Sequence, residues 1–406
     1  MHFFSNLAHK KLIIHAGGSR TGSSFLQKKL ANNPLKKYGV NYASVINIDN
    51  VYPEGGNGQC IYEILNSPDA GQSEKKRIIE LIKGFFQESC IAICSSEFLS
   101  ELSPEQWRLF ITILDDLKID YKIIVFIRDV SSYFASVYLQ SVLYHGVASS
   151  IFHWIENIDK WQHAQALRAL YMVCEKSNLS VIHYKENEDK LWEKFLAASE
   201  ISDLINEESI FTENYRVNSS INIIEYEEII VFNKLTNSLF HNEVYRLIEK
   251  NKSNYHFPSA LENFKDEISV SCSRFSNDVD WINNTFFNEE QIISVKSDSS
   301  KKALQITILE EQIERNRIKT ILLEYLSSKL SIAQSNFFEQ IVNIIDELLI
   351  DKSQSKSQVI PNNFNPISYL ILNTDLLLNH ANPWDHYVRH GIKEGRSYQF
   401  PRSKYS

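Results

Sequence analysis

Up to about residue 200 the chain alternates between short unbroken apolar runs and longer stretches with helical spacing. Residues 11–16 form one such run and predict a buried strand. A helix follows over 23–32, and Asn33-Pro34 ends it, because proline cannot continue a helix. Residues 74–87 have the spacing of an amphipathic helix, and 90–94 read as a short buried strand. Ser103 and Pro104 take the N-cap and first position of the next helix. A second unbroken run, 121–127, suits a parallel strand buried on both faces, and the helix after it contains Ser136. Residues 179–186 read as a later strand and 190–196 as its following helix. This alternation predicts an α/β fold with a central parallel sheet and helices on both faces.

Strand patterns fade beyond about residue 205, and 221–250 and 303–350 are helical in pattern. In the latter, Leu304, Ile308, Ile313, Ile318, Ile321 and Leu322 suit an antiparallel helix pair or a coiled surface for self-association. Residues 351–358 read as a polar linker. The tail reads as two short helices closed by Gly391 and Gly395. The expected organisation is one domain over 1–295, a helical extension and linker over 296–358, and a small helical module over 359–406.

The first turn carries the chemistry. Gly17 and Gly22 have the G-x-x-x-x-G spacing of a phosphate-cradling loop. Ser23 and Ser24 open the helix, where backbone N–H groups and the dipole favour an anion. The nucleoside-triphosphate form of this loop carries Lys directly after the second glycine. Here Ser23 stands there, and the cation is Arg20, two residues before Gly22. The plainer alternative is a simple turn with Arg20 as a surface charge. Arg128 ends the run 121–127, where open α/β sheets bind ligands, and Ser136 lies eight residues on. Arginine plus a hydroxyl suits a dianion; the plainer alternative is an ion pair of Arg128 with Asp129.

The segment HAGGSRTGSSFLQ over 15–27 resembles the 5′-phosphosulfate loop of sulfotransferases that use 3′-phosphoadenylyl sulfate (PAPS). Their usual forms are K-T-G-T-T or R-S-G-T-S between strand and helix, with Lys normally where this chain has Arg20. The Arg128 and Ser136 spacing resembles that family's grip on the 3′-phosphate. Residues 179–196 resemble its strand ending in tyrosine and glutamate, then a helix ending in phenylalanine and leucine. Arg216-Val-Asn-Ser-Ser and Asn233-Lys-Leu resemble a stretch common in bacterial members. The likeness covers about residues 10–290. It implies a P-loop-containing three-layer fold, PAPS as cosubstrate with 3′-phosphoadenosine 5′-phosphate (PAP) as product, and no metal. It also implies cofactor contacts from Gly18, Ser19, Arg20, Thr21, Gly22, Ser23, Ser24, Arg128 and Ser136.

Transfer also needs a base for the acceptor hydroxyl. Glu97, just after the strand over 90–94, is the first candidate, since sugar sulfotransferases often use glutamate; Ser95-Ser96-Glu97-Phe98 could instead cap the next helix. His15 is expected to orient the loop, and His145, His153 and His163 to pack or lie on the surface. The tail resembles a module at the ends of bacterial polysaccharide-modifying glycosyltransferases and sulfotransferases. The implied acceptor is therefore a carbohydrate, a cell-surface or exported polysaccharide. Within the tail, His386 and His390 are expected to pack rather than to bind metal, with Tyr369, Trp384 and Tyr387 as core.

With 406 residues the chain can form two or three structural units. Its net charge of −8 argues against nucleic-acid binding, so an anionic cosubstrate needs a local basic patch. Arg20, Lys28, Lys29 and Arg128 are the candidates for it. Five cysteines without a C-x-x-C pair argue against a disulfide framework or a zinc site. No apolar run reaches the roughly eighteen residues of a membrane span. The first residues are too short and polar before Lys10-Lys11 for a signal peptide, so a bacterial cytoplasmic enzyme is expected. Two rival readings are a nucleotide-dependent small-molecule kinase, opposed by the missing Lys after Gly22, and a non-catalytic degenerate P-loop binding protein.

Overall fold

The computed structural model describes residues 10–31, 34–43, 56–67, 72–87, 89–184, 190–204, 221–236, 241–251, 257–288, 292–296, 307–330, 361, 364, 366–373, 375–376 and 383–398. The expected linker over 351–358, the helical pattern over 331–350 and the Arg216-Val-Asn-Ser-Ser segment lie outside the described residues.

Five strands form one all-parallel sheet: β1 (Lys10–His15), β2 (Val40–Asn41), β3 (Ile91–Ser95), β4 (Ile119–Ile127) and β5 (Leu179–His183), in the order β2-β3-β1-β4-β5. In its register His15 lies beside Ser95 on one side and Ile124 on the other. The helices of the chain up to residue 200 are α1 (Ser23–Ala31), α2 (Gln59–Leu65), α3 (Gln72–Phe86), α4 (Pro104–Asp116), α5 (Val130–Tyr144), α6 (Ile151–Glu156), α7 (Gln162–Tyr171) and α8 (Leu191–Ala198).

The unbroken apolar run of β1 follows from its central position: Leu12, Ile13 and Ile14 are all fully buried. Ile13, Ile93, Ile124 and Phe126 face a cluster with Leu26 and Leu30 of α1 and Trp192, Phe195 and Leu196 of α8. Alternation along the strands sends Leu12, Ile14, Ala92, Cys94, Ile123 and Val125 to the opposite face. The buried side of α4, with Trp107, Phe110, Ile113 and Leu114, lies outside that cluster and adjoins β4. A nine-residue helix such as α1 is marginal alone. Each buried leucine contributes about 1.5–3 kcal/mol, so packing on the sheet is what holds the helix behind the loop. At the start of α4, Ser103 and Gln106 form a capping box with Pro104 at the first position.

The chain divides into two compact units: Met1–Tyr133 with Ile158–Ser219 and Ser269–Ser297, and Phe134–Asn157 with Ser220–Ile268 and Asp298–Ser406. Residues 1–295 contribute to both. The first holds the whole sheet. In the second, α9 (Ile223–Leu235) packs with a later helix, Ile308–Leu330. Arg315 pairs with Glu227, Glu228 and Glu311, and Arg317 with Glu225 and the fully buried Glu314. Among the described residues no helix is long and apolar enough to cross a membrane.

The tail's Gly395 closes a helix in the left-handed conformation, φ +64°. Gly391 does not end a helix, contrary to expectation. It lies in a π-helical turn, Tyr387–Gly391, that continues into Ile392–Glu394, and a Cβ there would strike the Tyr369 hydroxyl. That hydroxyl lies 2.9 Å from His386 Nδ1, and the His386 and His390 rings are 5.2 Å apart. No group of three metal-binding side chains is found among the described residues.

Candidate functional site

The strand order puts β1 between β3 and β4, so the chain leaves it first to one side and later to the other. Ligands of open α/β sheets bind at the carboxyl edge where the order reverses, and the loop 16–22 sits there. Ala16 still donates to the Ile124 carbonyl at 3.0 Å, and the Gly22 carbonyl accepts from Phe25 and Leu26 in the first turn of α1.

Steric fit explains the loop's glycines. A Cβ on Gly17 would lie 2.5 Å from His15 Nε2 and 2.7 Å from Ser23 Oγ. One on Gly18 would strike the His163 ring and lie 2.7 Å from the Phe126 carbonyl oxygen. Gly22 has φ +82°, and a Cβ there would lie 2.6 Å from Leu191 Cδ2. Thr21, fully buried, donates its hydroxyl to the Gly18 carbonyl at 2.6 Å. Arg20 has φ +67°, an unusual conformation for a residue with a side chain.

Arg128 and Arg20 meet at this loop. Arg128 is 3 % exposed and follows the end of β4. Its Nη1 donates to the Arg20 carbonyl at 3.0 Å, its Nε to Ser132 Oγ, and its guanidinium lies 5.5 Å from the Tyr184 ring centre. Asp129 does not take up the alternative ion pair; its Oδ1 accepts from Ser294 N at 2.8 Å and Ser294 Oγ at 3.2 Å. The first amides of α5 are also spoken for, since Val130 and Ser131 donate to the carbonyls of Ser294 and Val295.

Two buried polar atoms at the loop have no hydrogen-bond partner: His15 Nε2 and Ser23 Oγ, both beside Gly17. His15 is fully buried, its Nδ1 lies 2.9 Å from Ser95 Oγ, and burial pulls its pKa down to about 4, so the ring is neutral.

Glu97 emerges two residues beyond β3. It stands at the N-cap of a short 3-10 turn, Phe98–Glu101, but makes no capping bond; Ser96 Oγ instead accepts the Phe98 N–H at 3.2 Å. Glu97 is half-buried. Burial raises its pKa, the charge of Arg20 works against that rise, and Glu101 adds to it. Arg20 and Glu97 are therefore near enough to act on each other's charge. Beside them runs a polar chain. Glu101 accepts from Tyr62 and from Gln162 Nε2, and Gln162 Oε1 accepts from Ser19 Oγ at 3.2 Å and the Tyr133 hydroxyl at 2.9 Å. Burial pushes Tyr133 up to about 12.

The other expected residues have different places. Ser24 and Lys28 are exposed on α1, and Lys29 lies over the Trp192 ring at 5.1 Å. Ser136 is buried further along α5, in the second unit, where His145 and His153 are exposed. Before α2, Gly56 (φ +77°) leaves no room for a Cβ against the Ser95 carbonyl. Asn57 is bound to β3 through the Ser95 N–H and the Ile93 carbonyl.

Sequence reasoning missed His163 as part of the site. Its ring is 1 % exposed, Nδ1 accepts the Arg128 N–H at 3.2 Å, and Nε2 lies 3.1 Å from the Ser19 carbonyl oxygen. Tyr184 and Leu191, which cover Gly22, were missed too. These contacts join distant parts of the chain, and no local spacing signals them. Comparison with models of known protein families gave no match, and neither the curated proteins nor the solved structures gave one.

Proposed function

We propose that this chain is a PAPS-dependent sulfotransferase with a P-loop-type three-layer fold, acting on a hydroxyl of a carbohydrate. The observation that carries the reading is the pair His15 Nε2 and Ser23 Oγ, buried without partners beside Gly17 at the start of α1, in a loop that also bears Arg20. Leaving such atoms unpaired costs about 1–3 kcal/mol each. A phosphate oxygen is the ligand whose chemistry matches: it accepts from a hydroxyl and an imidazole N–H, and its charge suits Arg20 and the helix dipole. Arg20, in place of a lysine after Gly22, favours a phosphosulfate over ATP with magnesium.

PAPS enters as the sulfuryl donor. The acceptor oxygen attacks sulfur, the bond from sulfur to the 5′-phosphate oxygen breaks as the new one forms, and PAP departs. Glu97 takes the hydroxyl proton, a role its raised pKa suits. Arg20 and the loop amides balance the charge that develops on the leaving phosphate. Arg128 is assigned to the 3′-phosphate, while its Nη1 also braces the loop through the Arg20 carbonyl. The polysaccharide acceptor rests on the tail's resemblance.

Incubation with radiolabelled PAPS and a carbohydrate panel tests the reading. Labelled sugar and free PAP in magnesium-free buffer are expected. Phosphorylation from ATP with magnesium, without any use of PAPS, would overturn it.

A further inference from the structure

The loop's backbone is held by a helix far away in sequence. α7 opens with Gln162 and His163. Because His163 Nδ1 accepts the Arg128 N–H, the neutral ring carries its proton on Nε2 and donates it to the Ser19 carbonyl. The ring packs on Tyr133, 4.3 Å between centres, and fills the space where Gly18 has no Cβ. Gln162 accepts from the Ser19 hydroxyl. Both polar ends of the residue before Arg20 are therefore tied to α7. The Arg20 carbonyl is tied to Arg128, whose own N–H is tied to His163. A left-handed arginine persists only where its surroundings over-determine it, and these bonds supply that constraint.

We propose that Gln162 and His163 form a positioning latch, which holds Arg20 in its left-handed conformation and so sets the loop's affinity for its anion. The second half of this statement rests on the reading of the loop as an anion site. His163 acts through Ser19 and Arg128.

Three variants of the full chain separate the latch from simple packing. H163F keeps a ring against Tyr133 and loses both bonds. H163N keeps the acceptor for Arg128, and H163Q keeps the donor to Ser19. Hydrogen exchange without ligand is read at residues 19–24, with α4 as the internal control. In H163F, exchange in the loop is expected to quicken about tenfold or more, with H163N and H163Q in between and α4 unchanged. Calorimetry with PAP is expected to give the same ranking, with about tenfold weaker binding for H163F. Unchanged loop exchange in H163F overturns the latch. If H163F does not fold, wild-type exchange in both H163N and H163Q overturns it. If wild-type protein binds no PAP while loop exchange still responds, the latch stands and the anion reading fails.

Discussion

Acid should strike the sheet-bearing unit through two buried imidazoles. In the unfolded chain His15 and His163 take up a proton near pH 6.5, whereas burial in the fold holds both near 4. At His163 the bonds to Ser19 and Arg128 and the Arg128 charge modify the effect of burial without reversing it. Each group's contribution is whole above 6.5 and is lost as the pH falls toward 4, because the unfolded state then binds the proton first. A fall from 6.5 to about 4 corresponds to roughly 3 kcal/mol per ring, so both together reach on the order of 6 kcal/mol. That is comparable with the whole stability of an ordinary domain, about 5–15 kcal/mol. Glu97 works the other way, because its raised pKa makes protonation favour the fold. Glu200, held near 2 by bonds from Lys11 and Lys122, loses its contribution only below 4.5, outside this window. Urea unfolding followed by tryptophan fluorescence, repeated at half-unit pH steps, measures the effect. The midpoint should fall steeply between about pH 6 and 4.5, and H163F should show about half that acid sensitivity. A midpoint flat across this range would refute the reasoning about the two rings.

Other expected outcomes concern single side chains. Gly22→Ala forces a side chain onto φ +82° and into Leu191, so it should lower stability by about 1–3 kcal/mol, read from urea midpoints. Glu97→Gln should cut turnover by about 10²–10⁴-fold with little change in PAP affinity. In wild type, turnover should rise with pH through the Glu97 pKa, since only the carboxylate accepts the proton; equal rates for both proteins would move the base elsewhere. Arg128→Ala should weaken calorimetric binding of PAP, and of an analogue lacking the 3′-phosphate, because the brace on the Arg20 carbonyl goes with it. The loss should be larger for PAP; equal losses would leave Arg128 as a brace alone.

The parts legible in the sequence are those set by local chemistry. Interior parallel strands must be apolar on both faces, so 11–16 and 121–127 announce β1 and β4. Ser103 and Pro104 mark the start of α4 because capping is a matter of neighbouring residues. The paired glycines likewise declare a tight turn. What could not be read depends on contacts across the sheet. His163 is 144 positions from Ser19, and the left-handed Arg20 follows from Arg128 and α7, not from its neighbours. Lys29 reads as part of a basic patch but lies over Trp192, a ring brought to it only by α8. β2 has two residues, too few to leave a pattern. Gly391 reads as a helix end, and only the Tyr369 hydroxyl beneath it explains a glycine there.

The most direct measurement is calorimetric titration of the full chain with PAP in magnesium-free buffer, alongside ADP with magnesium, for wild type and Arg20→Ala. Saturable PAP binding that needs no magnesium and collapses in Arg20→Ala, with ADP and magnesium far weaker, is the expected result. Tighter binding of ADP with magnesium, or PAP binding indifferent to Arg20, would contradict the assignment of the loop.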